Sequence, residues 1–174
     1  HKSGFWNLER QTNLLDGAAH FYDTYECKDG KYISLGSIEP QFYALLCEKA
    51  ELSQDDFGDQ MKRDTWEHKK NLLKEVFLNK TRDEWCEIME GSDVCFAPVL
   101  DMSEAPSHPH NVARKTFIEI EGVMQPAPAP RFDRTENEVL LPPALAGEHS
   151  KEILESLGMD EIEITRLLDS GSIA

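Results

Sequence analysis

The chain of 174 residues is long enough for one or two small domains, and a hydrophobic content of 40% can supply a core. Its 33 acidic and 18 basic side chains give a formal net charge of −15, which would repel phosphates and so excludes a nucleic-acid partner. The apolar runs are too short for a membrane span.

A β-hairpin is the first predicted element. Residues 1–19 show no clear periodicity and are expected to form a linker arriving from another part of a protein. Residues 21–26 and 31–36 each alternate polar and apolar side chains, as strands with one buried face do. Asp29-Gly30 lies between them, and this dipeptide between two β-rich runs is typical of a tight turn.

Three helices are predicted next. Pro40 suits the first turn of a helix, and apolar side chains keep helical spacing over residues 40–50. A second helix is predicted over residues 65–78 on the same spacing. The run Thr81-Arg82-Asp83-Glu84 is a capping box that begins a third helix, and Gly91 ends it.

The second half alternates short elements with extended segments. Residues 94–99 are predicted to form a buried strand closed by Pro98, and residues 117–121 another strand. Residues 103–109 are expected to form a turn or a short helix. Three prolines predict an extended linker over residues 124–135.

Two short helices are predicted at the end, one around residues 153–157 and one around residues 164–168. Both are amphipathic, and their apolar face needs a partner surface that the rest of the sequence does not obviously supply. The predicted fold is therefore α+β, a small β-sheet with a hairpin packed against helices, followed by a proline-rich strap and a two-helix C-terminal tail.

The cysteines bear on the cellular compartment. Cys27, Cys47, Cys86 and Cys95 show no CxxC spacing, and we expect reduced core residues rather than disulfides or a zinc site. This predicts a cytoplasmic location, with a peroxisome or mitochondrion left open for a eukaryotic cell. His1 is not followed by a charged and then apolar leader, so we expect no signal peptide within these residues.

Glu39 is the first candidate for chemistry, because it lies between a strand end and a helix start, where functional side chains are common. The alternative is that Glu39 has no role in chemistry and is only an acidic residue stabilised by the helix dipole at the start of the helix. His108-Pro109-His110 lacks a third ligand at a recognisable spacing, so no metal is expected. His20, His68 and His149 lie in unremarkable polar contexts, and no serine or cysteine setting indicates a catalytic triad.

Several segments resemble a known family. Asn13–Gly17, Tyr22–Tyr25 and Asp29–Tyr32 are similar to the start of the small domain in family III CoA transferases and acyl-CoA racemases, the CaiB/BaiF superfamily. Within it, Gly36-Ser37-Ile38-Glu39-Pro40-Gln41-Phe42-Tyr43 resembles the α-methylacyl-CoA racemase branch. Further matches lie at residues 85–86, 92–95, 97–100, 128–132 and 147–149.

The resemblance implies that this chain is the C-terminal half of such a protein. Family members carry an N-terminal Rossmann-like large domain, which supplies a catalytic His and Asp and most of the CoA contacts. The implied division is a linker from that missing domain at residues 1–19, a small α+β domain at 20–122, a proline-rich linker at 123–148, and a helical tail at 149–174 that would dock on the large domain.

The implied activity is that of an isomerase that interconverts (2R)- and (2S)-2-methylacyl-CoA by removing and returning the α-proton. Glu39 would orient the catalytic His of the missing half, and Tyr22 and Ile38 would line the acyl pocket. No cofactor is expected, since the CoA thioester is the substrate. Family members form homodimers, and this chain alone is expected to be inactive because both proton-transferring bases are missing.

Two alternatives stay open. The first is a piece of a family III CoA transferase, which uses an N-terminal Asp nucleophile and is disfavoured by the Ile38-Glu39-Pro40-Gln41 segment. The second is a stand-alone, non-enzymatic interaction module that associates through the hairpin edge and the tail.

Overall fold

The computed structural model describes residues 2–135, 137–139 and 141–173. It divides into two units, residues 1–102 and residues 103–174, called unit 1 and unit 2 below. His1, Glu136, Leu140 and Ala174 belong to predicted linkers and the predicted tail but lie outside the described residues. Both units mix helices with a small antiparallel sheet, which confirms the α+β prediction.

Unit 1 contains a three-stranded sheet in the order β1-β2-β3. The strands are Thr24–Glu26 (β1), Tyr32–Leu35 (β2) and Phe96–Val99 (β3). The predicted hairpin is confirmed, since β1 pairs antiparallel with β2 and Gly30 takes a φ of +75° in the turn. A positive φ favours glycine at this position of the turn. The turn sets the register of the hairpin, in which the buried Tyr25 pairs with the buried Ile33.

The third strand differs from its prediction as a buried strand closed by Pro98. Pro98 instead lies within β3, opposite Ile33, and the strand alternates half-buried and exposed residues. The physical reason is that β3 is an edge strand of the sheet, where a residue without an N–H leaves no ladder partner unsatisfied.

Four α-helices complete unit 1, and the three predicted ones are confirmed. Thr81 accepts a hydrogen bond from Glu84 N at 3.2 Å while the Glu84 carboxylate accepts from Thr81 N at 2.7 Å, which completes the predicted capping box. A short helix that was not predicted begins after Ser53, whose hydroxyl accepts from Asp56 N at 3.1 Å. The helices are Pro40–Lys49 (α1), Gln54–Phe57 (α2), Trp66–Phe77 (α3) and Arg82–Met89 (α4), with a 3-10 turn at Arg63–Thr65.

Aromatic rings form much of the core of unit 1. Phe77 and Trp85 meet edge to face with centroids 4.9 Å apart, and Phe21 and Trp66 do so at 5.7 Å. Trp85 Nε1 donates to Phe77 O at 3.0 Å, so its polar atom is satisfied inside the core. This core ties α3 and α4 to the segment that precedes the sheet.

Unit 2 contains a second antiparallel pair, Phe117–Ile120 (β4) and Val123–Pro126 (β5). The expectation of an extended linker from residue 124 is therefore wrong for its first residues, which pair in β5. Glu121 and Gly122, with φ of +49° and +79°, form a two-residue turn that returns the chain. The helices are Pro109–Ala113 (α5), Ser150–Ser156 (α6) and Glu161–Asp169 (α7), with a 3-10 turn at Ala105–Ser107.

The two predicted tail helices are confirmed as α6 and α7. Ile164 is buried, whereas Leu157 and Ile162 are 73% and 81% exposed, so much of the tail's apolar surface is open to solvent. None of the helices in the described ranges is long and apolar enough to cross a membrane. The division of the chain into linkers, small domain and docking tail stays a prediction.

Candidate functional site

Glu39 stands where the sequence places it, between the end of β2 and the first residue of α1. It is the N-cap residue of α1 with an extended backbone, and its own carbonyl accepts the first helical bond from Tyr43 N at 3.0 Å. Its carboxylate is exposed and makes no capping hydrogen bond to the helix. The side chain therefore gives α1 no capping hydrogen bond, and both the catalytic and the helix-dipole interpretation of Glu39 stay predictions.

The backbone that leads to Glu39 is tied to two neighbouring segments. Gly36 N donates to Cys95 O at 2.8 Å, and Ser37 N donates to Phe21 O at 3.1 Å. The Ser37 hydroxyl, which is fully buried, donates to Val94 O. These bonds hold residues 36 and 37 between the start of β3 and the segment before β1.

A second set of bonds comes from Gln60, which lies on the loop after α2. Its side-chain amide donates to Ser37 O at 3.0 Å and to Ile38 O at 2.8 Å. The exposed Glu39 carboxylate thus follows three consecutive residues with fixed backbones. These bonds fix the backbone from which the Glu39 side chain projects.

A groove of about 470 Å³ lies beside this segment in unit 1. Tyr22 lines it together with residues of all three strands of the sheet, whereas Ile38 is half-buried and packs against the core. The predicted roles of Tyr22 and Ile38 as acyl-pocket residues stay predictions. The groove is lined by Asp16, Gly17, Tyr22, Asp23, Gly36 and Cys95, among others.

An ion pair shapes one wall of the groove. Lys70 Nζ lies 2.7 Å from Asp23 Oδ2 and also donates to Gly17 O. Gly17 has a φ of +89°, and a Cβ there would lie 3.3 Å from Asp23 Oδ1, so both the backbone and the space call for glycine. Sequence reasoning missed Lys70, because a lysine on a predicted helix carries no signal of a specific partner.

Cys95 lines the groove on a left-handed backbone, with a φ of +59°. The expectation of four core cysteines is wrong for Cys95, which is exposed, while all four thiols are free. The pKa of the Cys95 thiol is raised, first by partial burial and then by the carboxylates of Glu39 and Asp93. A raised pKa leaves less thiolate at neutral pH, so this thiol is not an activated nucleophile.

His20 lies in the core, and the prediction of a polar context for it is wrong. Tyr43 Oη donates to Phe57 O at 2.9 Å, so in the 2.8 Å contact between Tyr43 Oη and His20 Nε2 the ring nitrogen is the donor. His20 Nδ1 is buried and has no hydrogen-bond partner within the described residues. Neither ring nitrogen is therefore bonded to Glu39.

Burial alters the acid–base behaviour of His20. The surrounding aromatic rings, and then the charges of Lys69 and Lys70, lower the pKa of His20 to about 3. A neutral ring locked in the core cannot act as an accessible base at the surface. In the described ranges no group of three or more His, Cys, Asp or Glu residues is arranged to hold a metal ion.

The comparisons with known proteins point to one family. The sequence model of CoA-transferase family III matches residues 5–150. The chain is 41% identical to mouse α-methylacyl-CoA racemase, covering 94% of this chain and 44% of that protein. It is 40% identical to the human racemase and 28% identical to human succinyl-CoA:glutarate CoA-transferase, over 95% and 87% of this chain.

The solved structures agree in fold. A crystal structure of Rv3272 from Mycobacterium tuberculosis superposes with a TM-score of 0.60 at 18% identity, covering 75% of this chain and 37% of that one. The chain spans less than half the length of the curated racemases it matches, 44% in both cases. What it matches in them is a C-terminal part that contains the Glu39 segment.

Proposed function

The chain belongs to CoA-transferase family III, and on that premise we propose that it supplies the C-terminal part of an acyl-CoA racemase active site. It is homologous to the C-terminal part of α-methylacyl-CoA racemase. The proposed reaction interconverts (2R)- and (2S)-2-methylacyl-CoA by removal of the α-proton and its return on the opposite face. The higher identity to the racemases than to the glutarate CoA-transferase supports this branch.

The chemistry defines what each part must provide. A proton α to a thioester carbonyl is weakly acidic, so its removal needs a base on one face, an acid on the other and stabilisation of the enolate. A His and an Asp can fill the two proton-transfer roles when their surroundings hold their pKa values apart. We place both in the part of the protein that precedes these residues.

Glu39 is the contribution of this chain to proton transfer. A carboxylate hydrogen-bonded to a histidine holds the ring in one tautomer and stabilises the imidazolium that forms when the ring takes a proton. The observation that supports this role is that the Glu39 carboxylate is exposed and makes no capping hydrogen bond. Hydrogen bonds also fix the backbone of the residues that precede it. His20 cannot be its partner in this chain, since its ring is committed to Tyr43 in the core.

The remaining parts of the proposal follow from charge and from the groove. We assign the acyl chain to the groove lined by Tyr22, which also borders Gly36 at the start of the segment that leads to Glu39. The net charge of −15 disfavours this chain as the holder of the CoA phosphates, which we assign to the large domain.

The reaction changes no oxidation state, so no cofactor is proposed. The working enzyme is proposed to be a homodimer in the cytoplasm, or in a peroxisome or mitochondrion.

The test is α-proton exchange. The chain is incubated with one epimer of a 2-methylacyl-CoA in D₂O, with and without a polypeptide covering the N-terminal half of the matching racemase, and the α-hydrogen is followed by NMR. We expect no exchange by the chain alone and exchange when the N-terminal half is added. Exchange by the chain alone would mean that a complete acid–base pair lies within these residues, which contradicts the proposed division of roles.

A family III CoA transferase is the second candidate, favoured by the family match itself. Such an enzyme would move CoA from the thioester to a carboxylate acceptor through a covalent intermediate on an Asp outside this chain. Formation of a new acyl-CoA on addition of a free dicarboxylate to the reconstituted halves, without α-proton exchange, would favour the transferase. Failure of both reactions would favour a non-enzymatic module.

A further inference from the structure

We propose that Gln60 positions the Glu39 carboxylate by clamping the two peptide carbonyls that immediately precede it. The inference rests on the role proposed for Glu39, and it adds a residue outside the Gly36–Tyr43 motif. Gln60 reaches the motif from the loop between α2 and the 3-10 turn that precedes α3.

The clamp consists of one nitrogen that serves two acceptors. Gln60 Nε2 donates to Ser37 O at 3.0 Å and to Ile38 O at 2.8 Å. A side-chain amide carries two N–H protons on one nitrogen, so a single glutamine can satisfy both carbonyls without adding charge. Because these two peptides lead directly into Glu39, the clamp fixes the direction from which the chain reaches Glu39.

Secondary structure supplies no other donor to these carbonyls. The pairing of β2 ends at Leu35, and the first helical bond of α1 is accepted by Glu39 O. Ser37 O and Ile38 O lie in the gap between the two elements. Ser37 is fully buried and Ile38 is half-buried, and a buried carbonyl left without a donor costs free energy, so we expect loss of the amide to shift this segment and Glu39 with it.

Gln60 is itself held in place by α3. Its side chain is almost completely buried, and its backbone carbonyl accepts from Trp66 Nε1 at 2.8 Å. The neighbouring carbonyl, Asp59 O, accepts from the buried Lys69 Nζ at 2.6 Å. Trp66 and Lys69 both belong to α3, so the clamp is anchored in the helix and does not depend on the motif that it positions.

The reactivity of the Cys95 thiol can report the position of the Glu39 carboxylate. Its backbone carbonyl is bonded to Gly36 N, and its exposed thiol lies within the electrostatic influence of Glu39. Only the thiolate reacts with iodoacetamide, so the pH midpoint of Cys95 alkylation follows the pKa of this thiol. Movement of the Glu39 carboxylate away from Cys95 lowers that midpoint.

The test compares four forms of the full chain: wild type, Gln60→Met, Glu39→Gln and the double variant. Methionine matches glutamine in length but cannot donate to the two carbonyls. The rate of Cys95 alkylation is measured against pH by mass spectrometry of the peptide that contains it, which separates Cys95 from the other thiols. Gln41→Met, at an exposed position of α1 two residues from Glu39, is the matched control.

We expect Gln60→Met to lower the midpoint by at least half as much as Glu39→Gln does, and Gln41→Met to leave it unchanged. In the Glu39→Gln background Gln60→Met should have little further effect, because the two changes act through the same charge. A smaller fall, or an equal fall in both backgrounds, would overturn the proposal, since Gln60 would then act on the fold or on solvent access alone.

A replacement variant and a kinetic measurement complete the test. If Gln60→Met fails to fold, Gln60→Asn replaces it, since its shorter side chain keeps the amide but cannot span both carbonyls, and the same criterion applies. The thiol profile needs no enzymatic activity, so it separates failure of the clamp from failure of the racemase proposal. In the reconstituted enzyme Gln60→Met should lower kcat for α-proton exchange and leave KM unchanged, and a wild-type kcat would overturn the positioning role.

Discussion

Acidification is expected to destabilise unit 1 through a single buried ring, that of His20. In the unfolded chain this ring takes a proton near its usual pKa of 6.5, whereas burial and then Lys69 and Lys70 lower its pKa in the folded chain to about 3. Between these values the unfolded state binds one more proton than the folded state. The contribution of neutral His20 is therefore complete above pH 6.5 and is lost progressively as the pH falls towards 3.

The magnitude follows from the gap between the two pKa values. At about 1.4 kcal/mol per pH unit, the loss at about pH 5 is about 2 kcal/mol, and it approaches about 5 kcal/mol below the folded pKa. A loss of about 2 kcal/mol is large beside the ~5–15 kcal/mol that stabilises an ordinary domain.

The assay is urea unfolding followed by the fluorescence of the buried Trp66 and Trp85, at about pH 7.5 and about pH 5. His20→Gln removes the titrating ring and keeps a neutral hydrogen-bond donor. The free energy of unfolding should fall between the two pH values by about 2 kcal/mol more in the wild type than in His20→Gln. His68→Gln, at an exposed position of α3, is the matched control and should behave as the wild type.

An equal fall in the wild type and in His20→Gln would refute the reasoning. His20 would then take up its proton at nearly the same pH in the folded and unfolded states, so its ring could not be buried and hydrogen-bonded to Tyr43 in the core. A larger fall in His20→Gln would point to titration of a different group.

Two further changes test the local geometry. Thr81→Ala should lower the free energy of unfolding by about 1 kcal/mol, because it removes the acceptor for Glu84 N, and Thr81→Ser should restore most of it in the same urea assay. Gly17→Ala should lower the melting temperature more than Gly4→Ala, since both positions have positive φ but only Gly17 also brings a Cβ against Asp23. Equal losses at the two glycines would show that the contact with Asp23 contributes nothing.

Local chemistry was enough to predict the elements that depend on neighbouring residues. The Asp29-Gly30 turn and the Thr81–Glu84 capping box are both present as predicted, because a turn and a cap are determined by a few consecutive side chains. The position of Glu39 between β2 and α1 follows from the same local signals. That part of the candidate site could be read from the sequence.

Elements with weak or conflicting signals could not be predicted. Three prolines obscured β5, although Glu121-Gly122 between two apolar runs is a hairpin signal of its own. The four residues of α2 are too few to show periodicity, and only the Ser53 cap indicates them. Pro98 suggested the end of a strand, because nothing in the sequence reveals which strand lies at the edge of a sheet.

The supports of the site depend on contacts between distant residues. Gln60 reaches Ser37 and Ile38 from more than twenty positions along the chain, and Lys70 reaches Asp23 from the middle of α3. Residue type and spacing in a single sequence do not predict such contacts. Burial of His20 likewise arises from the rings of Phe21, Tyr43 and Phe57 around it, which only the folded chain brings together.

The most direct test of the central claim is the rate of α-proton exchange in the reconstituted enzyme when Glu39 is changed to Gln. If Glu39 supports a histidine base of the other half, exchange should fall by roughly 10²-fold or more while the fold stays intact. Glu48→Gln, at an exposed position of α1, should leave the rate unchanged. Exchange at the wild-type rate in Glu39→Gln would contradict the account, since the exposed carboxylate would then have no part in proton transfer.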